Sequence, residues 1–188
     1  RIPTQIGPWG IATSPDGRWV VAANRESQQV AFEGNTISII DVNLAAARSP
    51  IAETARVLVG TSDPNVQTRP FIPSFTPDGK FIIVPNFRAN NVSIVDLSMA
   101  LAHQPGAEVA RIALTRPADA DGVVRPARPK GSAVTADGRY AVISGGARTT
   151  FVPSGTVWII DLQTRAVAAT VTGVGNDPYG LAVVDRGD

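Results

Sequence analysis

Arginine and aromatic residues gather around four recurring proline steps, and these are the residues of the sequence best equipped for chemistry. The steps read Gly7-Pro8-Trp9-Gly10, Arg69-Pro70-Phe71, Arg128-Pro129-Lys130-Gly131 and Asp177-Pro178-Tyr179-Gly180. Arg25, Arg88 and Arg148 each follow an apolar run downstream, with Phe87 and Phe151 close by in sequence. A guanidinium group offers a planar fork of donors that matches a carboxylate or phosphate two bonds at a time. Arginine beside aromatic rings is also the composition that concentrates binding energy in protein interfaces. The chemistry expected of Trp9, Arg25, Arg69, Phe71, Arg88, Arg128, Lys130, Arg148 and Tyr179 is therefore recognition of a protein or of an anionic small molecule. The plainer reading is that these arginines are solvated loop residues bonding neighbouring carbonyls, and at this level both readings stand.

Bond-making chemistry has few candidates. The sequence has no cysteine and one histidine, His103, beside Gln104 and Pro105. By itself such a chain builds neither a zinc or copper site nor a cysteine nucleophile. Nothing places His103 in a Ser-His-Asp arrangement. Asp119-Ala120-Asp121-Gly122 resembles the start of a calcium loop but lacks the downstream glutamate. Gly173-Val174-Gly175-Asn176 follows a strand pattern and opens no helix, so it reads as a turn and not a phosphate cradle. No catalytic residue, metal site or cofactor is expected. A net charge of +1 with dispersed basic residues argues against nucleic acid. At 188 residues and 44% hydrophobic content the chain reads as one globular domain, with no apolar run long enough for a membrane helix.

The elements that must position these residues repeat three times. Ser14-Pro15-Asp16-Gly17-Arg18, Thr76-Pro77-Asp78-Gly79-Lys80 and Thr135-Ala136-Asp137-Gly138-Arg139 each precede an apolar run. A second apolar run closing on Asp41, Asp96 or Asp161 follows. Glycine supplies the positive φ of a tight hairpin and aspartate bonds its own backbone nearby. The closing aspartates are expected to accept backbone N–H bonds in the next turn. Each unit reads as four short strands, rich in Val, Ile and aromatics and bounded by Gly, Pro, Asn and Asp. The predicted class is all-β, a β-propeller segment of four-stranded antiparallel blades over about 8–60, 70–114 and 129–173. Partial-blade strands are predicted at 1–7 and 177–184. Inserts fall at 43–53 and 98–106, each with a short helical turn, and at 61–68 and 115–127. By propeller geometry the arginine-rich loops share one face and the Asp-Gly hairpins the other.

Pro-x-Gly-x-Ala, then Ser-Pro-Asp-Gly-Arg, then Asn24 or Asn86, then Asn-x-Val/Ile-Ser-Ile-x-Asp resembles the YVTN-type β-propeller repeat. The third copy departs from it, with Ala136 in place of proline and Ser144-Gly145-Gly146 in place of the asparagine. That family includes surface-layer proteins and is related to lactonase-like and amine-dehydrogenase-type propellers. The resemblance is specific for fold and not for activity; the function expected of the chain is a non-catalytic binding or scaffold module, periplasmic, secreted or on the cell surface. Its alternative is part of a lactonase-like hydrolase or of the large subunit of a quinone-dependent amine dehydrogenase, with the reacting groups outside this chain. The chain starts at Arg1, which fits either a removed signal peptide or trimming. The expected partners are a protein, further blades of a longer chain, or a second copy completing the ring.

Overall fold

The computed structural model describes residues 2, 4, 5, 7–27, 30–146 and 155–184, without the side chains of Ser27 and Val30. Strands β1 (Pro8–Thr13), β2 (Trp19–Ser27), β3 (Val30–Asp41) and β4 (Glu53–Leu58) pair in chain order as one four-stranded sheet. The short helix α1 (Val42–Ala46) lies between the last two. The second sheet holds β5 (Ser74–Phe75), β6 (Phe81–Asn86), β7 (Asn91–Asp96) and β8 (Glu108–Ala113), with α2 (Leu97–Leu101) after β7. β9 (Pro129–Val134), β10 (Tyr140–Gly145), β11 (Thr156–Asp161) and β12 (Ala166–Thr172) form the third. Every strand pair is antiparallel.

The turns follow from their residues. Gly17, Gly79 and Gly138 all take φ of 71°, and their neighbours Asp16, Asp78 and Asp137 each accept from a backbone N–H two residues on. Asp41 accepts from Asn43 N and Leu44 N and caps α1; Asp96 accepts from Met99 N and caps α2. Asp161 accepts from Gln163 N and Thr164 N without a helix following.

Alternation along the middle sheet makes the core. Ile82, Val84 and Val95 pack toward the first sheet, against Val21, Ile37 and Ile39. Ile83, Val92 and Ile94 point the other way, against Ile143, Trp158 and Ile160 of the third sheet. Both sides of the middle blade are therefore buried, and each such side chain stabilises by about 1.5–3 kcal/mol. Trp158 is wholly buried and donates its indole N–H to Thr115 O at 2.8 Å. The innermost segments of successive blades run side by side: Ile72 N donates to Lys130 O at 2.9 Å, and the Ser74 and Ser132 hydroxyls meet at 2.9 Å. Gly10 lets β1 approach the next blade, since a Cβ there would collide with Phe71 O and stand 2.7 Å from Ile72 Cα.

Three expectations change. The β2–β3 hairpin extends well past the expected strands Trp19–Ala23 and Thr36–Ile40, pairing Glu26 with Glu33, because Val30-Ala31-Phe32 continues the strand-compatible sequence. The terminal segments 1–7 and 177–184 are not strands in their described residues before Pro8 and from Asp177 to Val184. The ladder partners that a further blade would supply are absent among the described residues. β5 is also shorter than the expected Ile72–Phe75, because Pro73 has no N–H to give to the ladder.

Candidate functional site

The backbone at the proline steps repeats an unusual conformation. Gly7, Arg69, Arg128 and Asp177, each preceding a proline, have φ of 39°, 54°, 47° and 51°. In three blades the reason is visible. The carbonyls of Gly7, Arg69 and Arg128 turn to accept from the N–H of Arg25, within β2, and of Phe87 and Gly146, just past β6 and β10. The entrance of each blade is thereby tied to the exit of its neighbouring strand, at the opposite end from the Asp-Gly hairpins.

This arrangement brings eight of the nine sequence-selected residues into one cluster. Arg25 is buried and lies between two rings, its guanidinium carbon 4.2 Å from the centroid of Trp9 and 4.2 Å from that of Phe71. Phe71 stacks on Phe87 at 5.3 Å and meets Tyr179 at 5.8 Å. Arg69 and Arg128 lie over Phe87 at 5.0 and 5.4 Å. Lys130 sits between Phe87 and Tyr179, at 5.6 and 4.7 Å from their centroids. Arg88 joins through Glu33. Arg148 lies outside the described residues.

Exposure divides the set. Trp9, Tyr179, Arg88 and Arg128 are open to solvent, whereas Phe71 and Lys130 are 1% and 2% exposed. Phe71 and Lys130 were expected to line the mouth; they form its floor, because Phe71 is covered by Arg25 and Phe87. The Lys130 ammonium donates to Gly146 O at 3.2 Å and contacts the Asp177 carboxylate. Burial, aided by the charges of Arg128 and Arg25, pushes Lys130 down to about 8. Burial also lowers Arg25, and the Arg69 charge adds to that effect.

Sequence reasoning missed the acids. Glu26 lies 3.0 Å from Arg25 and 2.6 Å from Arg69; Glu33 lies 3.1 Å from Arg69 and 2.9 Å from Arg88. The signal was the β2–β3 extension, which sets Glu26 opposite Glu33. Arg69, Arg88, Arg128, Phe87, Glu33, Asn90 and Pro126 enclose a cleft of about 370 Å³. The aspartates of the calcium-like turn are occupied by arginine: Asp119 pairs with Arg116 and Arg125, and Asp121 with Arg125 at 2.5 Å. The Arg125 contact holds Asp121 at about 2.

No family model matches the chain, and no curated protein matches it as a relative. Solved structures do resemble it. Kuenenia stuttgartiensis hydrazine synthase superposes with a TM-score of 0.64 and 22% identity over 96% of this chain and 40% of that one. U3-55K gives 0.65 and 12% over 95% and 43%, and the RRP9 WD40 repeats give 0.65 and 11% over 95% and 42%. The chain has the β-propeller fold. It spans about two fifths of the length of these structures. At such identities the likeness speaks for the architecture, which hosts scaffolds and enzymes alike.

Proposed function

We propose that this chain is the propeller portion of a non-catalytic binding or scaffold protein that engages an acidic protein partner through the mouth formed by its proline steps. The observation that carries the reading is charge in excess of its internal partners. Five cations (Arg25, Arg69, Arg88, Arg128, Lys130) surround the Phe71–Phe87 stack, against three carboxylates (Glu26, Glu33, Asp177). Two open aromatic residues, Trp9 and Tyr179, flank them. Crowding like charges around buried rings is unfavourable until an anion arrives, and rings beside arginine suit an interface core.

The test is calorimetric titration of a glutamate-rich dodecapeptide into the protein as isolated. Binding that weakens with salt, and weakens about tenfold in a Trp9→Ala, Arg25→Gln double variant, is the expected result. No heat at any ionic strength would sink the proposal. The enzyme reading, a propeller whose reacting groups lie elsewhere, is checked on the same sample by lactone turnover and by a visible absorbance band from a bound quinone.

A further inference from the structure

The left-handed residue before each proline step has a backbone task that glycine performs as well. Gly7 does so in the first blade, turning its carbonyl to Arg25 N as Arg69 does to Phe87 N and Arg128 to Gly146 N. A side chain at positive φ strains the backbone, so an arginine at 69 and at 128 works against folding while supplying a guanidinium to the mouth. The acids show what those guanidinium groups fit. Arg25, Glu26, Arg69, Glu33 and Arg88 form a series of alternating sign in which each carboxylate lies between two arginines, at 2.6 to 3.1 Å. Arg128 is exposed at the cleft over Phe87 and makes no ion pair among the described residues; Glu33, which lines the same cleft, is held by Arg69 and Arg88. The series therefore ends on Arg88 with Arg128 alongside, both lacking the next acid.

We propose that the cleft over Phe87 is a carboxylate subsite in which Arg88 and Arg128 grip an aspartate or glutamate side chain of the partner, continuing the alternation that Glu26 and Glu33 begin. This rests on the mouth being the binding face. The cleft, at about 370 Å³, admits a carboxylate with its side-chain stem. Phe87 forms the apolar floor, and Asn90 fixes the rim by accepting from Arg128 N at 2.9 Å.

Arg128→Gly separates function from folding, because glycine keeps the left-handed backbone. The expected result is a thermal midpoint unchanged or a few degrees higher. Affinity for the glutamate-rich peptide should fall about tenfold, and Arg128→Lys should restore only part of it because a point charge replaces a fork. Unchanged affinity in Arg128→Gly, with affinity lost in the Trp9→Ala, Arg25→Gln protein, would overturn the subsite and leave the mouth. Unchanged affinity in both proteins would overturn both proposals. A midpoint several degrees lower in Arg128→Gly would show that Arg128 serves the fold, which also overturns the subsite.

Discussion

Lys130 carries its ammonium where water scarcely reaches, and that placement fixes how the protein answers to alkali. The folded group releases its proton at about 8, against 10.5 for the free side chain. Between those values the unfolded chain holds more protons, so stability from this residue rises with pH across that window. Urea midpoints should increase from pH 8 to pH 10, and Lys130→Met should flatten the increase; equal slopes in the two proteins would exclude the assignment. Trp158 sets a different kind of residue-level expectation. Its indole N–H satisfies Thr115 O from inside the core. Trp158→Phe should cost about 1–3 kcal/mol by urea denaturation, since the buried carbonyl loses its donor. The deep burial of Lys130 was not legible in the sequence. A lysine in Pro-Lys-Gly reads as a loop residue until Tyr179, from a segment almost fifty residues later, is folded over it.

At the level of elements, the Asp-Gly hairpins and the closing aspartates were fully legible, because their hydrogen bonds are made within five residues. Ser14, Thr76 and Thr135 donate to Asp16, Asp78 and Asp137, and these bonds hold all three carboxyls below the ordinary range. The stability they give is present above about pH 4 and is lost as pH falls through the folded values. A Ser14→Ala, Thr76→Val, Thr135→Val protein should unfold with a weaker dependence on pH between 2 and about 4; an unaltered acid profile would count against it. Strand existence was legible from apolar runs, whereas strand ends were not. β5 is trimmed by Pro73 just before it, and β3 is lengthened by pairing with β2, a neighbour that local pattern does not contain. Glycines separate by the same logic. Gly17 has open space and a positive φ, so Gly17→Ala should cost about 1 kcal/mol, and Gly10→Ala about 3 kcal/mol because the next blade's backbone stands in the way. Chemical denaturation of the pair tests the ordering, and equal losses would contradict the close approach of the first two blades.

For the whole molecule, the two rims differ in how they handle charge. On the hairpin rim each carboxylate is settled locally, by capped N–H groups and by neighbours such as Arg18 near Asp41 and Arg139 near Asp161, both at 3.7 Å. On the mouth rim the cations come from three blades and exceed their acids, which is why the sequence disclosed the arginines but not the company they keep. Glu26 and Glu33 look like ordinary strand residues until β2 and β3 are paired. The flanks are apolar as well: Ile11 on the first blade and Val171 on the last are exposed. Closing a ring covers such flanks, so native mass spectrometry of the protein as isolated should find an assembly heavier than one chain of 188 residues. A stable, monodisperse species of this chain alone would oppose that expectation. Away from the innermost segments, where Ile72 N bonds Lys130 O, blades touch mainly through side chains, while each blade is laced internally by continuous ladders. Mechanically this makes the chain a row of tough plates on weak joints. Stretched between its ends in an optical trap, it should lengthen in discrete steps of roughly 200 Å, one blade's worth of chain at a time, with the joints yielding before the plates.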